Sequence, residues 1–185
     1  MRVLETARLL LRTATEPIAR DELDAAYRVY VEELEGETLT LEEYEQEADF
    51  DIHLAQNSLG QHFGRPAILI KENTRRIGHC VFLPRLCTPA ELSAAIVTTE
   101  TPQHNSIEAE IGWAISDKYR NRGFATEAAQ ALVAYGFAEV GLARIVAFTE
   151  KDNYASLRVM QKIGMRVGQS LDTDGMVGVV AHTAT

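Results

Sequence analysis

The amino-acid sequence predicts a mixed α/β domain rather than a doubly wound one, and three observations carry that expectation. Short apolar runs bounded by charged or turn residues, at 8–12, 66–71 and 77–83, have the length of strands. Two longer stretches with helical spacing each stop at a glycine: Phe124 to Val140 before Gly141, and Asn153 to Ile163 before Gly164. Strand-like segments alternate with them, at Ile107 to Ser116, Ala143 to Thr149, Met165 to Leu171 and Met176 to Ala181.

Arg8-Leu9-Leu10-Leu11-Arg12 is the first strand. Leu23, Tyr27, Tyr30, Val31 and Leu34 then recur at helical spacing and stop before Gly36. Thr40 followed by Glu43 has the capping-box pattern, and Leu41, Tyr44, Ala48 and Ile52 continue a second helical face. Tyr27, Tyr30 and Tyr44 are assigned to core or pocket wall. Pro66 to Lys71 and Ile77 to Leu83 flank Glu72-Asn73-Thr74-Arg75-Arg76. Asparagine suits a turn position, so these two runs form an antiparallel hairpin. From 84 to 106 the pattern weakens, punctuated by Pro84, Pro89 and Pro102. It reads as a loop insertion bordering a substrate pocket, with a short helix near Ala90 to Ile96. The last two strands form a hairpin around Asp172-Thr173-Asp174-Gly175. The order is β, two helices, a β-hairpin, then β-α-β-α-β-β, in a single domain over 1–185.

At 185 residues the chain is long enough for one well-buried core, and no apolar run reaches membrane-spanning length. Met1-Arg2-Val3-Leu4-Glu5 lacks the apolar stretch of a secretory signal, so a cytoplasmic protein is expected, with Cys80 and Cys87 reduced. The five histidines are scattered singly, so no metal site is expected. A net charge of −9 argues against nucleic-acid binding, which is driven by cations displaced from phosphates. That charge is uneven. Asp21 to Asp51 holds 13 acidic residues against Arg28 alone, a local −12 that leaves +3 for the remainder. Two readings stay open: solvated helix faces, or an acidic rim that attracts a cationic amine.

The most informative stretch is Tyr119-Arg120-Asn121-Arg122-Gly123-Phe124-Ala125-Thr126-Glu127-Ala128, placed between a strand and a helix. A helix start with a glycine and no bulky acidic side chain presents free backbone N–H groups at the positive end of the helix dipole. Arg120 and Arg122 add charge, so a phosphate-bearing ligand is the natural occupant.

Arg120-Asn121-Arg122-Gly123-Phe124-Ala125 resembles the acyl-CoA pyrophosphate loop of the GCN5-related N-acetyltransferases (GNAT), with the pattern Arg/Gln-x-x-Gly-x-Gly/Ala. Glu108-Ala109-Glu110-Ile111-Gly112-Trp113-Ala114-Ile115 is similar to that family's fourth strand, and Asn153 to Met165 to its Asn-x-x-Ser…Lys-Leu-Gly-Phe helix. The opening Glu5-Thr6-Ala7-Arg8-Leu9-Leu10-Leu11-Arg12 resembles the start typical of the RimJ/RimL-like branch. The resemblance spans Glu5 to Met165, apart from the insertion and the acidic helices. It implies a GNAT acyl-CoA N-acyltransferase fold, a central mixed, mostly antiparallel sheet flanked by helices with splayed fourth and fifth strands.

By that resemblance the cosubstrate is acetyl-CoA, without a metal. Its pantetheine arm lies between the splayed strands and bonds backbone groups of Trp113, Ala114 and Ile115. Its pyrophosphate takes the loop from Arg120, Asn121 and Arg122 through Gly123, Phe124, Ala125 and Thr126. Asn153 bonds pantetheine, and Ser156 lies near the sulfur as a donor. Asn153 has a plain alternative role as a helix cap, and Trp113 as core packing.

Direct transfer needs a neutral amine, and a lysine-like amine with a pKa of about 10.4 is almost wholly protonated at pH 7. A carboxylate base helps. Glu108 and Glu110 are two residues apart and share one strand face. Glu110 matches the family's strand glutamate best and is the expected base; Glu108 is second, or an exposed edge charge. Met160 stands where another branch has a tyrosine proposed to protonate the thiolate, which leaves Ser156, water or Tyr154 as proton source. The expected function is acetyl transfer to a primary amine of a protein N-terminus or small molecule, by a monomer or homodimer that binds neither nucleic acid nor membrane. The alternative is a catalytically weak acyl-CoA-binding sensor of the same fold.

Overall fold

The computed structural model describes residues 3–13, 40–43, 45, 46, 49, 62–93, 95, 103–171 and 174–182. The expected helix from Leu23 to Leu34, most of the acidic stretch, and Tyr27, Tyr30 and Tyr44 lie outside the described residues. The capping box does not: Thr40 N donates to Glu43 Oε2 at 2.8 Å, Glu43 N donates to Thr40 Oγ1, and residues 41–43 are helical. The chain divides into two compact units, one of Met1–Cys80 with Ala114–Phe124, the other of Val81–Trp113 with Ala125–Thr185.

In the first unit, β1 (Val3–Glu5), β2 (Leu9–Arg12), β3 (Ala67–Ile70) and the start of β4 (Arg76–Cys87) pair in sequence order, each antiparallel to the last. β1 is absent from the order expected of the sequence, because the turn that sets it off is a side-chain device. Thr6 Oγ1 accepts from Leu9 N at 2.8 Å and reverses the chain. Alternation along the strands sends Leu9, Leu11, Ile68 and Ile77 inward, all fully buried. In the β3–β4 hairpin Asn73 Oδ1 accepts from Arg75 N, while Thr74 takes the left-handed conformation, φ 55°. The end of β5 (Ser106–Ile115) joins this unit, where Ser116 N donates to Ile77 O at 2.9 Å. Gly78 is dictated by that approach: a Cβ there would lie 2.0 Å from the Ala114 carbonyl oxygen.

The second unit orders its strands β4-β5-β6-β8-β7, with β6 at Arg144–Glu150, β7 at Arg166–Gln169 and β8 at Gly175–Ala181. β6 and β8 pair antiparallel along their whole length, and β7 and β8 form the expected closing hairpin. β5 and β6 are parallel and matched only at Ala109↔Ile145 and Glu110↔Val146. Beyond Glu110 the two strands part, as the resemblance implied. Phe82, Ile111, Leu132, Ile145, Val146, Met160 and Val177 fill the core, each without solvent exposure or nearly so.

β4 runs on through Pro84 to Cys87, past its expected end at Leu83, and is followed by α1 (Pro89–Ser93). Among the described residues β3 pairs with β4 only as far as His79, and a proline fits a strand position that no ladder partner requires to donate. α2 (Phe124–Tyr135) widens into a π-type turn at Gly136–Val140 and stops at left-handed Gly141, φ 75°. α3 spans Tyr154–Lys162 and stops before Gly164, φ 85°.

Candidate functional site

The loop from Ser116 to Phe124 is a built structure, held from within and from the N-terminal strands. A single 3₁₀ turn, Asp117–Tyr119, leads to Asn121 at φ 61° and Gly123 at φ 80°. Two left-handed residues in one short loop let the backbone turn tightly from the end of β5 into the start of α2. The first N–H groups of α2, from Phe124 to Thr126, have no partner within the helix. Glu127 stands in that first turn, so the helix start does carry an acidic side chain, contrary to expectation. It lies one residue beyond the assigned phosphate positions.

The two loop arginines differ. Arg120 folds back: its Nε donates to Ile115 O at 3.1 Å and its Nη2 meets Asp117 at 2.7 Å. Its charge is thereby spent on tying the loop to the end of β5. Arg122 is exposed and lies over the Tyr119 ring at 5.3 Å. A third arginine, missed in the sequence, completes the loop. Arg8 Nη1 donates to Arg122 O at 3.1 Å, and its guanidinium lies 4.5 Å from the centre of the Phe124 ring. The signal for it was there, since Arg8 belongs to the Glu5-to-Arg12 block.

In the second unit the two strand carboxylates have different surroundings. Glu108 is 6% exposed; its Oε1 accepts from Arg144 Nη2 at 2.6 Å, Arg144 Nε at 3.2 Å and Ser106 Oγ at 2.7 Å. The alternative of an exposed edge charge is therefore excluded by burial. Glu110 is half-buried and accepts from Arg85 Nη1 at 3.3 Å. Arg85 Nη2 donates to Glu91 Oε1 at 3.0 Å, and the guanidinium lies 3.9 Å from the centre of the Phe148 ring. Burial opposes the charge on Arg85, but its two carboxylate partners outweigh that and raise its pKa.

Glu91 is fixed in turn. Thr88 N donates to Glu91 Oε2 at 2.8 Å and Glu91 N donates to Thr88 Oγ1 at 3.1 Å, a second capping box with Pro89 at the first helical position. Thr88-Pro89-Ala90-Glu91 carried that pattern openly; nothing in the sequence paired Arg85 with Glu110. The two thiols are inert. Burial pushes Cys80 up to about 12, and burial with the Glu91 charge pushes Cys87 up to about 11.

Of the remaining assigned residues, Trp113 is half-buried rather than core, and Ala114 likewise, while Ile115 is buried. Asn153 is exposed and caps α3, its Oδ1 accepting from Ser156 N at 3.0 Å. Ser156 is half-buried and Tyr154 67% exposed. Among the described residues no three His, Cys, Asp or Glu side chains converge as metal ligands, and no helix is long and apolar enough to cross a membrane.

Residues 8–166 match the family model of the acetyltransferase (GNAT) domain, and the chain belongs to that family. It is 54% identical over 57 residues to the uncharacterized N-acetyltransferase YnaD of Bacillus subtilis, an alignment that covers 31% of this chain and only 34% of YnaD. With the uncharacterized N-acetyltransferase YjdG of Bacillus subtilis it is 28% identical over 167 residues, 89% of each protein. Among solved structures, an acetyltransferase from Agrobacterium tumefaciens superposes with a TM-score of 0.70 at 21% identity, covering 98% of this chain and 95% of that one. RimL, a ribosomal L7/L12 alpha-N-protein acetyltransferase in complex with coenzyme A, superposes with a TM-score of 0.64 at 14% identity, covering 97% and 98%. These likenesses establish the GNAT fold.

Proposed function

We propose that this protein is an acetyl-CoA-dependent N-acetyltransferase of the RimJ/RimL-like kind, a single domain over 1–185 that acts in the cytoplasm on a primary amine. The observation that carries the reading is the loop at Gly123. A strand end, two left-handed residues and an open helix start, braced by Arg8 and Arg120, supply the donors that a diphosphate needs. The fit extends to β5, which parts from β6 after Glu110 and leaves strand backbone groups for a pantetheine amide to satisfy.

In this reading the N–H groups of Gly123 to Thr126, with Arg122, bind the pyrophosphate. Trp113, Ala114 and Ile115 orient the pantetheine through their backbone. Acetyl-CoA supplies the acetyl group as an activated thioester. Glu110 takes a proton from the ammonium of the acceptor, and the neutral amine attacks the thioester carbonyl. As the C–S bond breaks the thiolate leaves, and the proton lost by the adduct's nitrogen passes to it through Ser156 Oγ or water, which is left as it began; the products are the N-acetyl amide and the free thiol, with the first proton on Glu110 released to solvent. Glu108 serves as a structural anion for Arg144, because it is buried and its Oε1 already accepts from Arg144 and Ser106. The Glu91–Arg85–Glu110 group carries one net negative charge, which favours a cationic acceptor.

The test combines calorimetry of acetyl-CoA binding with release of free thiol in the presence of N-terminally free peptides, a polyamine and an aminoglycoside. Saturable binding with amine-dependent thiol release is expected. Binding without turnover means an acyl-CoA sensor, and no binding ends the proposal.

A further inference from the structure

We infer that Arg85 is a positioning residue for the acetyl transfer, a clamp that holds the Glu110 carboxylate in place for the incoming amine. This rests on the reading of Glu110 as the base. Three observations support it. Arg85 grips Glu110 through Oε2 only, at 3.3 Å, so the other oxygen is not used by this contact. Its second arm is anchored to Glu91 Oε1 at 3.0 Å, and Glu91 is 8% exposed and locked by the Thr88 capping box. The face of its guanidinium rests 3.9 Å from the Phe148 ring centre, which fixes the plane of the fork.

A carboxylate on a strand has rotational freedom about its side-chain bonds, and a base must sit within hydrogen-bond reach of the proton it takes. Three elements remove that freedom: β4 brings Arg85, α1 brings Glu91 and β6 brings Phe148. Two neighbouring groups on the same strands are not competitors for this role. Glu108 is matched by Arg144, and Cys87 stays a thiol. The planar fork suits this role better than a lysine ammonium, which keeps the charge but cannot reach both carboxylates as a flat fork or lie flat on an aromatic ring.

The experiment measures kcat and KM with the fastest amine of the panel above, for Arg85→Met, Arg85→Lys, Glu110→Gln and the double variant Arg85→Met/Glu110→Gln. Thermal unfolding of each is followed alongside. Arg85→Met should lower kcat by about 10- to 100-fold with KM for acetyl-CoA nearly unchanged. Arg85→Lys should recover part of that loss. In the Glu110→Gln background Arg85→Met should change kcat little further, because it acts through a carboxylate already gone. Equal losses in both backgrounds, or a wild-type kcat for Arg85→Met, overturn the clamp and leave Glu110 as base. A wild-type kcat for Glu110→Gln, or no turnover with any amine, overturns the transferase assignments and this inference with them. Without any acceptor, ¹⁵N NMR should show slow rotation of the Arg85 Nη groups in the wild-type protein and faster rotation in Glu110→Gln; fast rotation in the wild type also overturns it.

Discussion

Arg8 Nη1 donates to the backbone carbonyl of Arg122 at 3.1 Å, joining residues 114 apart in sequence. Arg8 is also anchored through its own backbone, because Lys71 N donates to Arg8 O at 2.8 Å. The guanidinium thus fixes the peptide before Gly123 and places a positive charge beside the loop. Arg8→Ala should raise KM for acetyl-CoA by about tenfold, the value of one charge-assisted hydrogen bond, with kcat less affected. Steady-state kinetics at saturating amine would decide, and an unchanged KM would remove Arg8 from cofactor binding.

Gly123 has φ 80°, and a Cβ there would come within 3.5 Å of Arg8 Nη2. Left-handed backbone costs a β-branched residue roughly 1–3 kcal/mol. Gly123→Val should therefore both destabilise the fold and block acetyl-CoA. Gly123→Asn separates the two, since asparagine tolerates this conformation. Its denaturation midpoint should stay near that of the wild type while acetyl-CoA affinity by calorimetry falls.

How much of this was legible in the sequence depends on where the decisive physics acts. Helix ends governed by one residue were readable: Gly141 and Gly164 stop their helices in left-handed turns, and Thr40 and Glu43 cap each other as the pattern implied. The strand before the Gly123 loop and the helix after it were readable for the same reason. β4 beyond Leu83 was not, because whether a strand can run through Pro84 depends on which strand pairs beside it, a fact of pairing rather than of sequence. The split roles of Glu108 and Glu110 were equally hidden. Two identical residues on one strand face differ through Arg144, Ser106 and Arg85, which approach from 36, 2 and 25 residues away.

Gly78 marks a contact that only glycine permits, its position 2.0 Å from the Ala114 oxygen once a Cβ is added. The obstacle is backbone, so β4 and the end of β5 must separate to relieve it. Gly78→Ala should cost about 2–3 kcal/mol in urea unfolding. Because Ala114 belongs to the stretch assigned to pantetheine, acetyl-CoA affinity should fall as well. A stability within 0.5 kcal/mol of wild type, roughly the range of surface changes, would refute the close approach.

The Glu108–Arg144 pair, at 2.6 Å with side-chain exposures of 5% and 22%, should be structural. Removing one member strands the other charge, at a cost of roughly 1–3 kcal/mol once Arg144's partial exposure is allowed for. Glu108→Gln should lower the unfolding midpoint while kcat per folded enzyme drops less than about tenfold. Glu110→Gln should do the reverse: a midpoint close to wild type and a kcat about 100-fold lower, the scale of a lost general base. Interchanged outcomes would assign the base to Glu108.

His79 gives the fold a pH dependence with a definite sign. Burial first, then the charges of Arg76 and Arg65, push its pKa from 6.5 down to about 4, so it stays neutral in the folded protein at pH 5 to 6. In the unfolded chain it titrates near 6.5, so the unfolded state binds more protons between these values and stability must fall as pH drops through that window. The contribution is complete above pH 6.5 and declines steadily toward pH 4, by roughly 1–3 kcal/mol, less than a full conversion of the shift because the side chain retains some solvent contact. Urea unfolding at pH 7.5 and pH 5 should show the loss in the wild type and a smaller one in His79→Gln, which cannot take up a proton. Staying above pH 5 keeps protonation of the ordinary carboxylates largely out of the comparison. An identical loss in both proteins would mean that the acid sensitivity arises elsewhere.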